Sequence, residues 1–466
     1  MRPSRFLAFL RDFRRSRGGN VTLIFVMSLP IVLGVVGGSI DYSRRLTAQS
    51  QLQDAVDAAS VGSVATNSAA FIAAQSMSSN GTIASGGTSA VSIFTQNVAN
   101  IAGVTNTHVS ATVSRVNGYV DSTVTATATY PTVFLGLFGY SSLPLAATSA
   151  SQNGMPPYID FYLLLDVSGS MGLPSTDSEE TRLAAVNPDD KSEYPLGCTF
   201  ACHFSGYSGY ALSRNGGVAT NTPVTSCPNP GTTACIQLRL DAVGYAVNSL
   251  LSTAASTQKY TNQFRIGLYP FIRYMYQYYP LTYNISGSTT NSTTINYAAA
   301  NLATLLDTGV NTNLGSGGTH FENALPSVGA AIGTNGIGTG VAVNNRLPWV
   351  FFVTDGSQDN QYYSNGTWTG SNHATTLTSS YCTALKNQGI RIAVLYIPYQ
   401  PIQNPNASFS GNEDGYANAN IAGIPAPLQA CASSASFFFT ANAPSDITNA
   451  LNTMFTEAVA TDHITQ

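Results

Sequence analysis

The sequence predicts an α/β protein whose C-terminal part folds around a largely parallel sheet, preceded by a membrane-crossing helix and a small β-rich module. Three observations lead there. Tyr158 to Val167 (YIDFYLLLDV) and Pro348 to Thr354 (PWVFFVT) are near-continuous apolar runs that each meet an aspartate, the pattern of strands buried on both faces of a parallel sheet. Val21 to Ile40 is a twenty-residue stretch without a charge. Between these regions lie two alternating apolar and polar runs joined by Asn117-Gly118.

The 466 residues suffice for two or three domains. Only 9% are charged and 44% are hydrophobic, which excludes a charge-driven disordered chain and a basic nucleic-acid binder. The charge is uneven. Six arginines between Arg2 and Arg17, with Asp12, make the segment before the apolar run +5, leaving -9 elsewhere in a chain of net -4.

Residues 1–19 form the Arg-rich segment and 20–41 the membrane helix. At about 1.5 Å per residue, twenty residues cover the roughly 30 Å hydrocarbon thickness of a bilayer. Pro30, Gly34, Gly37 and Gly38 are tolerated in such helices. The arginines before and Asp41 after obey the positive-inside bias, which places the N-terminus in the cytoplasm and exports the rest. A cleaved secretory signal is the alternative, but the run exceeds the roughly 7–15 apolar residues of such signals. Residues 42–75 read as a helical stalk whose stripe, Leu46, Leu52, Val56, Ala59 and Val64, is either solvated or packed on a partner helix.

From 76 to 153 the composition turns to Ser, Thr, Ala, Val and Gly, and strands replace helix. His108 to Val116 and Val120 to Tyr130 alternate around the Asn-Gly pair, a hairpin signal. Val133 to Phe138 is too short to span a bilayer and reads as packing. Taken together, the Arg-rich start, Gly18-Gly19-Asn20, the apolar span with Pro30, Asp41-Tyr42, the Ala/Gln-rich helix and Pro131-Thr-Val-Phe-Leu resemble TadE/TadG-like proteins of bacterial tight-adherence (Flp) pilus systems. One departure counts against pilin-type cleavage and polymerisation: no glutamate lies between Asn20 and Ile40.

Residues 154–466 carry the chemistry. Asp166, Ser168 and Ser170 form a D-x-S-x-S loop at a strand's carboxyl end, where ligands bind in open α/β sheets. Gly315-Ser-Gly-Gly-Thr319 before a helix-like run supplies another hydroxyl, and Asp355-Gly356 after the second buried strand supplies another carboxylate. Such oxygen ligands suit a hard divalent cation, Mg2+ first, with Mn2+ or Ca2+ as alternatives. The three segments resemble the von Willebrand factor A domain and its metal-ion-dependent adhesion site, with Asp166, Ser168, Ser170, Thr319 and Asp355 on the five ligand positions. The resemblance implies a doubly wound, mostly parallel sheet. It also implies a cation that completes its shell with an acidic group from a partner, Asp355 acting through water. The remaining order fits: helices Leu238 to Ala254, Phe321 to Ile332, Ala374 to Asn387 and Ser445 to Ala458, and strands Phe264 to Phe271, Ile390 to Pro398 and Phe437 to Thr440.

Residues 172–236 are an insertion far longer than a usual α/β connection. It holds Cys198, Cys202, Cys227 and Cys235 and acidic residues Asp177, Glu179, Glu180, Asp189, Asp190 and Glu193, and reads as a solvated loop stapled by disulfides. Six cysteines in an exported region favour disulfides, Cys382 with Cys431 as the preferred pair plus two local bridges in the insertion. The spacings around His203 fit neither a zinc site nor the C-x-x-C-H of haem attachment. The tyrosines from Tyr269 to Tyr283 read as an edge hairpin. His108, His203, His320, His373 and His463 are dispersed and no nucleophile–base motif appears, so no enzyme is expected; His320 begins a helix rather than touching metal.

The expected function is a single-pass protein of the bacterial inner membrane, its bulk periplasmic or exported, that takes part in Flp/Tad pilus assembly by metal-dependent docking of an acidic protein partner. The alternative is a surface adhesin using the same metal edge for a host or abiotic ligand.

Overall fold

A single helix, Gly19–Val64, runs through Pro30 without a break and changes character along its length. In a computed structural model describing residues 19–77, 79–186, 199, 227–232, 235–259, 261–307, 311–370, 373–402, 405, 407–408 and 411–461, its first half exposes apolar side chains from Val21 to Ile40. The second half buries Ala48, Leu52, Val56 and Ala59. What they meet is the chain's own antiparallel sheet, in the order Gly81–Thr82, Thr105–Val116, Tyr119–Pro131, Ser142–Gly154. Apart from the exposed Leu46 the stripe is therefore not solvated: besides the sheet it packs on a helix of the same chain, Ala84–Val98, whose Ile93 lies 3.0 Å from where a Cβ on Gly62 would be. Small side chains let the helix approach the sheet closely enough for Gln49 and Gln53 to donate to the carbonyls of Ala146 and Thr148 at 2.6 and 3.0 Å.

The hairpin forms as the Asn-Gly pair predicts. Asn117 and Gly118 have φ of 49° and 84°, the two positive values of a type I′ turn, and Val116 pairs with Tyr119. Strands do not wholly replace helix after residue 76, however. Ala84–Val98 is helical and buries Gly86, Ala90 and Phe94. Its serines, threonines and glycines hide a helical period behind poor helix propensity, which tertiary packing overrides.

The chain divides into two compact units, Met1–Met155 and Pro156–Gln466. The second holds a six-stranded sheet in the order Phe438–Thr440, Arg391–Tyr396, Leu347–Thr354, Ile159–Asp166, Phe264–Phe271, Tyr279–Thr282. Every neighbouring pair is parallel except the last, the edge hairpin of the tyrosine-rich stretch. This is the doubly wound, mostly parallel sheet that the sequence implied. Helices Arg239–Thr257, Phe321–Ile332 and Pro444–Thr461 contribute Leu250, Val328 and Phe455 among others to one continuous core with the strands. The helix expected from Ala374 starts later, at Ser380, because Thr375–Thr376 pairs with Ser357–Gln358 instead.

Ile159–Asp166 is buried at every position, and each of its acids is accommodated differently. Asp160, at the amino end, accepts from Arg265 Nε at 2.8 Å and lies 3.6 Å from Arg346 Nη1. Asp166 lies at the opposite rim.

Of the insertion, the described part includes the helix Asp177–Val186. Glu179 departs from the solvated reading: it is fully buried and accepts from the amides of Gly231 and Gln237 at 2.9 and 2.7 Å and from Arg182. Asp189, Asp190, Glu193, Cys198, Cys202 and His203 lie outside the described residues. Disulfides join Cys227 to Cys235 and Cys382 to Cys431.

The Cys382–Cys431 bridge spans 49 residues, ties Ser380–Asn387 to Pro425–Cys431, and is fully buried. Loop-closure entropy for a loop of that size corresponds to about 4 kcal/mol at most. Replacing both cysteines by alanine should therefore lower the unfolding free energy by about 2–4 kcal/mol in denaturant titrations; an unchanged midpoint would contradict this role for the bridge.

Candidate metal centre

The sheet order places the site. The chain leaves Ile159–Asp166 toward Phe264–Phe271 on one side and later returns as Leu347–Thr354 on the other. The carboxyl ends of Ile159–Asp166 and Leu347–Thr354 thus border the switch point, where loops diverge and leave a crevice. Asp166 ends the first strand and Asp355 follows the second.

The first loop folds back onto its own aspartate. Asp166 Oδ1 accepts from the Ser168 amide at 3.0 Å and the Ser168 hydroxyl at 2.6 Å, and Ser168 Oγ lies 3.3 Å from Ser170 Oγ. Asp166 Oδ2 accepts from the Thr354 hydroxyl at 2.7 Å, which links the two strand ends. Asp355 accepts a long contact at Oδ1 from the Ser357 amide, 3.4 Å, its carboxylate is also hydrogen-bonded by the Ser170 side chain, and its Oδ2 is buried with no hydrogen-bond partner. Gly356 turns the chain with φ of 79°, and a Cβ there would come within 2.4 Å of Ile424.

Thr319 reaches the same rim by another route. Gly318 holds φ of 66° where a Cβ would fall 2.3 Å from the Asp359 carbonyl, so the glycine loop lies flat against the segment after Asp355. Thr319 then pairs with Asp359 through both backbone groups, at 2.8 and 3.2 Å. Its neighbour His320 donates its amide to the Ile272 carbonyl at 3.0 Å and caps Phe321–Ile332, its ring meeting Glu322 at 2.7 Å. The structure therefore joins Asp166, Ser168 and Ser170 by side-chain hydrogen bonds, ties Asp166 to the strand that Asp355 follows, and sets Thr319 beside Asp359. Among the described residues no hydrogen bond connects Thr319 to the other four.

Two residues at the rim have no counterpart in the sequence reading. Arg239, 3% exposed, brings its Nη1 to 4.0 Å from Asp355 Oδ2, and this nitrogen is also without a hydrogen-bond partner. The signal was an arginine opening a helix, where the positive end of the dipole opposes it. Glu413 shares a hydrogen bond with Asp359; burial and the charge of Asp359 push its carboxyl up to about 8.

Burial and the nearby charge of Asp355 raise the Asp166 carboxyl to about 7, against the hydrogen bonds that favour its charge. Burial raises Asp355 as well, partly offset by Arg239. Two buried carboxylates with one guanidinium 4.0 Å from the second have hydroxyl and amide donors but no close positive charge. The donor set fits a hard divalent cation: carboxylate and hydroxyl oxygens only, with an unused oxygen on Asp355.

This is a doubly wound α/β domain with an acid-and-hydroxyl rim, attached in sequence to a long apolar helix. Residues 19–75 match the family model of the Flp pilus-assembly TadE/G-like proteins, and this segment contains the apolar helix, in agreement with a membrane-anchored envelope protein. A search of curated proteins finds no significant match. Among solved structures the chain is similar to the pilus adhesin SpaC from Lactobacillus rhamnosus GG, at 14% identity over 76% of this chain and 34% of that one, TM-score 0.34. It therefore spans about a third of SpaC. It is also similar to the vWF domain of the type V pili tip protein Mfa5 from Porphyromonas gingivalis, at 11% identity over 66% and 97%, TM-score 0.31. A third likeness is to proximal thread matrix protein 1 from the mussel byssus with a zinc-occupied MIDAS motif, at 14% over 65% and 48%, TM-score 0.29. Likeness at this level bears on no individual residue of the rim.

Because the folded-state value of Asp166 lies above its ordinary 3.8, its contribution to stability is full below about pH 4 and lost as pH rises through about 7. Without divalent cation, the melting temperature of the C-terminal unit should fall between about pH 4 and pH 7, and Asp166→Asn should flatten that fall. Identical profiles for the two proteins would contradict the assignment.

Proposed function

We propose that this protein is a membrane-anchored component of Flp/Tad pilus assembly that docks an acidic protein partner through a divalent cation held at the rim. The observation carrying the reading is the pair of fully buried carboxylates, Asp166 and Asp355, the latter with an oxygen left unpartnered. The match of residues 19–75 supports the pilus context.

Asp166, Ser168, Ser170 and Thr319 would hold the ion, with Asp355 acting through water. Mg2+ suits two carboxylates best, because it keeps several of its waters. The bound ion would supply the positive charge that these carboxylates lack and a replaceable coordination position for a carboxylate of the partner. The chain's own contribution is orientation. Ser168 and Thr354 fix both oxygens of Asp166, so its rotamer is set before any ligand arrives. Arg239 holds part of the charge of Asp355 in balance. The reading is of a docking protein: the carboxylates and hydroxyls of the rim are the oxygen donors that a hard cation takes.

Mg2+ or Mn2+ should raise the melting temperature of the full chain in detergent, by about 2.7 kcal/mol of added stability at a hundredfold excess over Kd, and Asp166→Ala should abolish the shift. Cross-linking in cells should capture a partner that is lost on chelation and in Asp166→Ala. A melting response that survives the substitution, or a partner indifferent to chelation, would refute the reading.

A further inference from the structure

Pro131 to Ser142 connects two long strands of the N-terminal unit by a short 3-10 turn, Leu135–Phe138, in which no residue is buried. Its apolar side chains face outward: Leu137 is 78% exposed, Val133 58% and Phe138 50%. A soluble loop exposing this much apolar surface would be a liability. This one is nonetheless firmly seated. The Asp41 carboxylate accepts from the amides of Val133, Phe134 and Leu135 at 3.0, 2.8 and 2.8 Å.

The seat is the apolar helix itself. A Cβ on Gly37 would lie 2.5 Å from Phe134, one on Gly34 3.0 Å from Phe138, and one on Gly38 3.2 Å from Leu135. The glycines thus make the groove that receives the loop. From Asp41 to Gly34 is seven residues, about 10 Å down the helix axis at ~1.5 Å each. The loop therefore lies alongside the last two turns of the Val21 to Ile40 run, whose own side chains are exposed.

Backbone in hydrocarbon must be satisfied internally, and here it largely is. Besides the three amides bound by Asp41, Leu137 donates to Phe134, Gly139 to Gly136 and Tyr140 to Leu135, at 3.1 to 3.2 Å. Thr132 donates its amide to Ser141 and its hydroxyl to the Tyr140 carbonyl. On the other side of Asp41 the surface turns polar: Arg45 donates to the Pro144 carbonyl at 3.1 Å, and Tyr42 and Arg44 are exposed. The boundary between apolar and polar surface thus falls at one level on both helix and loop.

We propose that the Leu135–Phe138 loop is a second membrane element, inserted beside the helix into the outer leaflet, with Leu137 and Phe138 in acyl chains and Tyr140 near the headgroups. The occupant is lipid because the exposed patch is continuous with the span. Depths of about 5–10 Å are those of interfacial membrane elements. The sequence reading of this segment as internal packing thus describes only its Phe134 and Leu135 side. Docked at two points, the β-rich module is fixed in tilt against the bilayer instead of swinging on a single helix.

The inference rests on the membrane-anchored reading, and the test separates the two. The full chain is reconstituted in vesicles of phosphatidylethanolamine and phosphatidylglycerol, with photo-reactive p-benzoylphenylalanine replacing Ile31, Val116 or Leu137 one at a time. Val116 is exposed and apolar like Leu137, but sits at the far hairpin tip, roughly 40 Å away along the strand at ~3.3 Å per residue. Mass spectrometry after illumination should find lipid adducts at 31 and 137 and none at 116. Adducts at 31 without 137, cross-links from 137 to a second copy instead of lipid, or equal lipid labelling at 116 and 137 would overturn the loop insertion while leaving the anchor. Absence of lipid adducts at both 31 and 137 would overturn the two together.

Discussion

Two aspartates brought together without water at the end of adjacent strands set the terms for the C-terminal unit. Asp166 and Asp355 are both fully buried, and burial raises both carboxyls, that of Asp166 further through the charge of Asp355. The surrounding sheet enforces this: Leu163, Leu164 and Leu165 pair in register with Phe351, Phe352 and Val353, so the strand ends cannot separate without opening the core. Other buried acids of this chain are partnered. Asp41 accepts three amides, Asp160 faces two arginines, and Glu179 takes two amides and an arginine. Asp355 Oδ2 accepts no hydrogen bond and has only the Arg239 guanidinium, 4.0 Å away. In a chain with only 9% charged residues, this is a concentration of incompletely compensated charge, the feature on which the proposed cation site rests.

Much of this was legible because burial on both faces leaves a plain sequence mark. YIDFYLLLDV and PWVFFVT have no polar alternation to confuse their reading, and the D-x-S-x-S loop and the aspartate follow them directly. Other features were hidden for physical reasons. Ala84–Val98 is helical despite its serines and glycines because Phe94 and Ala90 are buried against the sheet. Arg239 lies some seventy residues from Asp166, beyond a long insertion, so only the fold brings it to the rim. The Asp359 and Glu413 pair is likewise assembled from a loop and the start of the helix Glu413–Asn420, with no spacing rule between them. Thr319 was legible through its glycines, yet only the pairing with Asp359 shows how its loop is held.

The N-terminal unit uses the same chemistry for another purpose. Asp41, at the end of the uncharged run, gathers the backbone amides of a distant turn, and glycines at 34, 37 and 38 remove the side chains that would keep it away. A carboxylate thus organises each unit: in the first, Asp41 is fully engaged by backbone amides, and in the second one oxygen of Asp355 has no hydrogen-bond partner. The TadE/G-like match covers residues 19–75 and so reaches the helix that carries Asp41 but not the rim. The apolar helix and the acid-and-hydroxyl rim therefore belong to separately recognisable parts of one chain.

The most direct measurement is a crystal structure of the protein grown with Mn2+ and phased on its anomalous signal. The account requires an anomalous peak about 2.1 Å from oxygens of Asp166, Ser168, Ser170 and Thr319. A rim free of manganese, with Arg239 closed onto both aspartates in its place, would contradict it.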